Sequence, residues 1–263
     1  MIIVKIGGGE AINLKAVVKD LASLEQPFVV VHGANALRDQ IAEKMGFTKQ
    51  TLTSASGYSS VYSDENTIDA ILMAYSGLRN KRLVEMFQQS NINAVGLSGI
   101  DGRIVQGARN KGIRVVENGK KMIRRDFSGK PRSINADLLN LLISNDYTPV
   151  ITIPICDENG FAINSENDDI VCELQSALKA DTVIQLIEAE GFMRDFKNPD
   201  SVIRTMSHAE LKLKEETVEG RIKRKIHALN KLARNGVNKI IICDGRTETP
   251  ITDGLAGSGT LIQ

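Results

Sequence analysis

Six short runs rich in β-branched residues punctuate the chain: "IIVKI" at 2–6, "FVVVHG" at 28–33, "INAVGL" at 92–97, "TPVITIP" at 148–154, "DTVIQLI" at 181–187 and "NKIIICDG" at 238–245. Each is almost continuously apolar rather than alternating, the pattern of strands covered on both faces. Between several of them lie stretches with apolar residues at helical spacing. These cover about Asn35–Met45, Asp64–Ser90, Asn135–Ser144, Asp168–Leu178 and Val218–Arg234. Such alternation predicts an α/β fold: a three-layer αβα sandwich around a mostly parallel sheet with right-handed crossovers. A chain of 263 residues, 42% hydrophobic, can bury one large core or two modest ones. The plausible division falls near Asn159, giving an N-terminal lobe over 1–158 and a C-terminal lobe over 159–263.

Several function classes are disfavoured at once. Cys156, Cys172 and Cys243 form no CxxC pair, so neither a disulfide framework nor a zinc site is expected. Only three histidines (His32, His208, His227) are present, without an HExxH pattern, and no protein metal site is predicted. "MIIVKIGGG" begins a strand directly, so no signal peptide is expected. No apolar run approaches the ~20 residues that span a bilayer. The expectation is a soluble, cytoplasmic protein.

Charge is balanced overall, at +1, yet unevenly placed. Residues 102–132, "GRIVQGARNKGIRVVENGKKMIRRDFSGKPR", hold ten Lys or Arg against one Glu and one Asp. Within them "IRVVE" and "KKMIRRDF" flank Asn118–Gly119, a strong signal for a two-residue hairpin turn. A basic hairpin over 103–132 is therefore predicted. Nucleic acid is a poor client for it, since Phe127 is its sole aromatic for stacking. A membrane is a poor client too, for want of an amphipathic basic helix with aromatic anchors. "GFMRDFKNPDSVIRTMS" reads as a second, smaller surface hairpin.

Chemistry is expected where strands run into glycines. The first strand ends in "VKIGGG", with Lys5 inside it and Gly7, Gly8 and Gly9 beyond. Three glycines there allow positive φ and close backbone approach, so their N–H groups can face an anion at the edge where α/β sheets bind ligands. A tight turn with a snorkelling lysine is the alternative. A second glycine turn, "VHGANA" at 31–36, ends the second strand on the same edge. Neither GxxxxGK[ST] nor GxGxxG occurs. Further on, "INSENDDIV" places Asn164 and Asp168 at a loop-to-helix junction, where an acidic helix start is the bland reading. "EGRIKRKIHALNKLARNG" opens a helix with Arg221, Lys223, Arg224 and Lys225, which a solvated basic face would also explain.

In order, "VKIGGG", "VHG", "INAVGLSGIDG", Asn-x-x-x-Asp before a helix, "GRIKRK" and a C-terminal "GTLI" resemble the amino acid kinase family over nearly the whole chain. The chain is most similar to the kinases of dicarboxylic amino acids, namely N-acetylglutamate kinase and LysW-aminoadipate/glutamate kinase. "GRIKRK" and the basic hairpin lean towards the second, whose substrate is carried by a small acidic protein. The resemblance implies a carbamate kinase-like fold, a homodimer built through the helix near 64–90, ATP with Mg²⁺, and an acyl phosphate made at a side-chain carboxylate. Lys5 and Lys225 would stabilise the transferred phosphoryl group and Asp168 would orient both lysines. Gly7, Gly8, Gly9, Lys225 and Arg221 would serve the nucleotide. Gly33, Ala34, Asn164, Ser60 and Val61 would line the acceptor site. Arg109, Lys111, Arg114, Lys120, Lys121, Arg124 and Arg125 would meet the carrier protein, a positive surface that steers encounter. The rival readings are N-acetylglutamate kinase acting on a free substrate, and a regulatory homologue with weakened catalysis.

Three departures from the family pattern stand out. Val61 occupies the position where the family has an Arg that grips the acceptor's α-carboxylate; Ser59, Ser60, Tyr62 and Arg79 are candidates to replace it. "HGAN" replaces "HGGG", and Ala34 tolerates positive φ poorly. "LIEAEG" replaces "L[TS]DVxG", putting Ile187 and Glu188 near the nucleotide.

Overall fold

The computed structural model describes residues 1–48, 50–53, 59–117, 120–195, 198, 201–218 and 220–263. The chain opens with β1 (Ile2–Ile6), α1 (Leu14–Leu21), β2 (Phe28–His32) and α2 (Asn35–Lys44). β3 (Thr51–Thr53) and β4 (Ser59–Val61) pair antiparallel. One long helical stretch follows, made of α3 (Glu65–Ile71), a π-helical segment (Leu72–Arg79) and α4 (Asn80–Gln89). Next come β5 (Ala94–Gly99), β6 (Val105–Arg109), β7 (Ile113–Glu117), β8 (Lys120–Arg124) and β9 (Gly129–Ile134). Then α5 (Ala136–Ser144), β10 (Thr148–Cys156), β11 (Ala162–Ile163), α6 (Asn167–Leu178) and β12 (Thr182–Ile187). The chain closes with β13 (Thr205–Met206), α7 (His208–Thr217), α8 (Gly220–Arg234), β14 (Lys239–Asp244), α9 (Pro250–Leu255) and β15 (Thr260–Ile262).

The main sheet runs β13-β15-β14-β12-β1-β2-β10-β6-β9, with β5 and β11 also pairing β10. Its central pairs are parallel, and β6–β9, β10–β11 and β14–β15 are antiparallel. All six predicted strands are present. β1 hydrogen-bonds to β2 on one side and to β12 on the other, so the sheet runs unbroken through the division expected near Asn159.

Strand alternation sorts the core into two layers. Ile3, Val29 and Val31 point to one face, where Ile170, Val171 and Leu174 of α6 and Ile226, Leu229 and Leu232 of α8 pack. Ile2, Val4, Ile6 and Val30 point to the other, against Val17 and Leu21 of α1, Leu83 and Phe87 of α4, and Ile251 of α9. By this alternation Lys5 shares the face of Ile3, with α6 and α8. The three-layer sandwich is thus formed as predicted.

The basic hairpin is also formed. β7 and β8 pair antiparallel from Ile113↔Arg124 to Glu117↔Lys120 as a separate two-stranded sheet, while the turn pair Asn118–Gly119 lies outside the described residues. The smaller hairpin closes through a Met193↔Val202 bridge and an Arg194 N–H donating to Ser201 O at 3.0 Å.

Three helices escaped the periodicity reading: α1, α7 and α9. α7 starts with a capping box in which Ser207 and Glu210 satisfy each other's backbone N–H groups. α9 takes its N-terminal cap from a distant residue. Asp20 of α1 accepts from the N–H groups of Ile251 and Thr252 at 2.6 and 2.9 Å and from Thr252 Oγ1 at 2.5 Å. Asp20→Ala leaves the buried Ile251 N–H unpaired and strips the cap from Thr252, and is expected to cost about 1.5–3 kcal/mol, read as a lower urea midpoint at unchanged slope.

Candidate functional site

β1 and β2 run parallel and in register, so their glycine turns meet side by side. A Cβ on Gly8 would sit 2.7 Å from Asn35 N and 2.8 Å from Ala34 N, and one on Gly33 would sit 2.8 Å from Gly8 Cα. Glycine is required here by contact between two backbones. It is not required by positive φ, contrary to the sequence expectation: none of Gly7, Gly8, Gly9 and Gly33 adopts it. Ala34 has φ −151°, so its side chain meets no strain.

The donors differ from expectation too. Gly7 N–H donates to Leu186 O and Gly33 N–H to Ile6 O, each at 2.9 Å, so both are committed to the main chain. Among the described residues the N–H groups of Gly8 and Gly9 make no such main-chain bond. Glu188 lies over this turn: its Oε1 accepts from Ala11 N–H at 2.6 Å, and a Cβ on Gly9 would collide with its carboxylate.

Lys5 is 8% exposed, between Gln185 of β12 and Val31 of β2. Its Nζ lies 3.0 Å from Asp168 Oδ1. Asp168 is in the first turn of α6, where a carboxylate also complements the helix dipole. Asn167 Nδ2 donates to His32 O at 3.1 Å, which pins the start of α6 to the end of β2. Around this junction Ser165 Oγ, Asn167 Oδ1 and Asp168 Oδ1 are buried without a hydrogen-bond partner. The Lys5 contact to Asp168 Oδ1 is an ion pair lacking hydrogen-bond alignment. Asp168 Oδ1 is thus met by the Lys5 ammonium. Unsatisfied buried polar atoms such as Ser165 Oγ and Asn167 Oδ1 are scarce in folded proteins, and two beside one helix start mark a place built for something besides packing.

α8 reaches the same junction. Arg224 Nη1 donates to Glu166 Oε1 at 2.5 Å, two residues before Asp168. Lys225, the next residue, is exposed, and the side chain of Arg221 lies outside the described ones. On the acceptor side, Asn164 Nδ2 donates to Ser63 Oγ at 3.0 Å, and Ser63 Oγ donates to Val61 O at 3.3 Å. Asn164 and Val61 are therefore brought together, while the Ser60 side chain lies outside the described ones. Of the groups suggested as substitutes for an Arg at Val61, Tyr62 OH donates to Arg125 O at 3.2 Å. Arg79 is half-buried, and desolvation lowers its pKa.

In the hairpin region Lys111, Lys120, Arg124 and Arg125 are exposed. Arg109 is engaged internally: its guanidinium stacks 4.0 Å from the Phe127 ring centroid and its Nε donates to Asp126 O at 2.9 Å. The side chains of Arg114 and Lys121 lie outside the described ones. No helix among the described residues is long and apolar enough to cross a membrane.

Sequence reasoning missed His32, Asn167 and Arg38. His32 is fully buried at the end of β2, with Nε2 3.1 Å from Asn80 Nδ2 and Nδ1 3.4 Å from Gly33 O. Asn80 Nδ2 also donates to Val150 O, so it is a donor and His32 Nε2 its acceptor. The ring is neutral, with the proton on Nδ1. Burial lowers its pKa to about 3.

Comparison with known proteins gives a consistent picture. The family model described as the amino acid kinase family matches residues 1–244. A Thermus thermophilus protein named LysW-aminoadipate kinase is 37% identical, with all of both chains covered. A Sulfolobus acidocaldarius LysW-aminoadipate/LysW-glutamate kinase is 31% identical, again over all of both chains. Among solved structures, smu.665 of Streptococcus mutans superposes with a TM-score of 0.75 at 18% identity, covering 100% of this chain and 98% of that one. Carbamate kinase of Giardia gives 0.67 at 14% identity, covering 99% and 97%. At these identities the two structures speak for the fold alone.

His32 yields a pH prediction. Its ordinary value is 6.5 and its folded value about 3, so between these limits the unfolded chain binds a proton that the folded chain refuses. Above about pH 6.5 the group is silent; below, stability falls as pH falls, by at most ~1.4 kcal/mol per pH unit. Urea midpoints between about pH 7 and 5 should drop more steeply for the wild type than for His32→Gln.

Proposed function

The chain belongs to the amino acid kinase family and is accordingly a phosphotransferase; we propose that it transfers the γ-phosphoryl group of ATP to the side-chain carboxylate of a dicarboxylic amino acid. The acceptor's amino group is blocked by attachment to a small acidic carrier protein, and the product is an acyl phosphate. The observation that carries this reading is the Lys5–Asp168 ion pair beside two glycine turns in backbone contact. Names of full-length relatives support the carrier-borne aminoadipate or glutamate.

Phosphoryl transfer asks for positioning and charge stabilisation rather than a covalent intermediate. The N–H groups of Gly8 and Gly9 would face the phosphoryl oxygens. Lys5, held in place by Asp168, would stabilise the charge that builds between attacking carboxylate and leaving ADP. Lys225 would act from the nucleotide side, on a helix tied to the start of α6 by Arg224 and Glu166. Asn164 would hold the acceptor. Among the described residues no group of three or more His, Cys, Asp or Glu gathers to bind a metal. Mg²⁺ would be held largely by ATP's phosphates and water and supply charge neutralisation there.

We assign acceptor binding and dimerisation to residues 1–158 and ATP to 159–263. Two copies would pair through the stretch from α3 to α4, where Met73 and Leu78 are exposed. The exposed cations of the β7–β8 hairpin would face the carrier in the cytoplasm. The second reading, free N-acetylglutamate as acceptor, makes no use of that hairpin.

Two experiments test this. Incubation with ATP, Mg²⁺, hydroxylamine and carrier-borne aminoadipate should yield a hydroxamate, and Lys5→Ala should lower kcat on the order of 10²–10³-fold. Lys225→Ala with unaltered turnover would remove that residue from the assignment. Replacing Lys120, Arg124 and Arg125 with Ser should raise KM for the carrier-borne acceptor several-fold and flatten its salt dependence, leaving KM for ATP unchanged.

A further inference from the structure

We infer that Arg38 is the cation that holds the second, non-reacting carboxylate of the acceptor. This rests on the carboxylate-kinase reading above and deepens it. A dicarboxylic acceptor brings two anions; one reacts, and the other keeps its charge throughout and needs a cationic partner once it leaves water.

Arg38 and Val61 line one cavity of about 180 Å³, together with Phe47, Thr67 and Ala70. Arg38 is the sole cation among its described lining residues, and the carboxylates of Asp39 and Glu43 line it as well. Glu43 is at the exposed rim, where water solvates it. The Arg38 side chain is only 12% exposed, and Nε and Nη2 both donate to one oxygen, Asp39 Oδ1, at 2.9 and 2.6 Å. Among the described residues Nη1 has no partner. A guanidinium carries five N–H donors in a planar fork, so the edge made by Nη1 and Nη2 retains capacity for a carboxylate.

The position fits as well. Arg38 N–H donates to Ala34 O at 2.8 Å, placing it one helical turn, ~5.4 Å, beyond the second glycine turn. Its charge acts on the buried Tyr75 phenol, as does that of Glu166, two residues before Asp168. Tyr75 OH donates to Asn35 Oδ1, so α2 is clamped against the π-helical segment at this level. Arg38 thus shares a cavity with Val61 and stands one helical turn beyond the second glycine turn.

The test compares two free acceptors, N-acetyl-2-aminoadipate and its 1-carboxamide, by hydroxamate formation. The wild type should favour the acid roughly 10- to 100-fold in kcat/KM, the range of one charge-assisted bond. Arg38→Ala should raise KM for the acid by that factor, erase the acid-over-amide preference and leave KM for ATP unchanged. Val61→Arg added to Arg38→Ala should restore the preference by returning a cation to the same cavity. If Arg38→Ala misfolds by thermal melting, Arg38→Lys serves: it should fold and retain part of the preference. An active wild type whose preference survives Arg38→Ala overturns the inference. A wild type that forms no hydroxamate from either acceptor or from carrier-borne aminoadipate overturns the kinase reading itself.

Discussion

An ammonium placed inside a central strand forfeits much of its hydration, and Asp168 is what makes that placement tolerable. The pair spans 163 positions of sequence and joins β1 to the start of α6 at 3.0 Å. A buried ion pair contributes little net stability, but removing one member leaves an uncompensated charge behind. The pair therefore acts less as a brace than as a registration mark. It fixes where one positive charge stands relative to the end of the sheet, and the neighbouring contacts of Asn167 to His32 and Arg224 to Glu166 are arranged around it.

Steric exclusion sets the second constraint. Two parallel strands ending at one edge bring their turns to within a Cβ's width, and Gly8 and Gly33 are the residues that allow it. The neutral His32 behind them is held by Asn80 and Gly33, with Thr152 Oγ1 donating to its carbonyl at 2.9 Å. Little in this arrangement can relax. A fixed cradle suits a reaction in which charge must be met without reorganisation.

How much of this was legible in the sequence varies with the range of the interaction. Near-continuous apolar runs announced β1, β2, β10, β12 and β14 because burial on both faces leaves few polar choices. α6 and α8 were legible from their apolar stripes. α9 was not: it is six residues long and its cap is Asp20, over two hundred positions away. Of the two reasons read for the glycines, close backbone approach holds and positive φ does not, and the letters did not show that the approach is between Gly8 and Gly33 themselves. Lys5 and Asp168 were marked by their places in the sequence, and their roles by the family resemblance. Arg38 was beyond both routes, because it comes to share a cavity with Val61 only once α2 packs against α3 and the π-helical segment.

The β7–β8 hairpin hydrogen-bonds to itself and, among the described residues, to no strand of the main sheet. Its exposed letters, unlike the buried Val115, are thereby released from the pairing rules that govern the sandwich. Apart from such buried positions, residues there can change without disturbing the sheet that places Lys5 beside Asp168. A catalyst constructed this way can change the company it keeps long before it changes its chemistry.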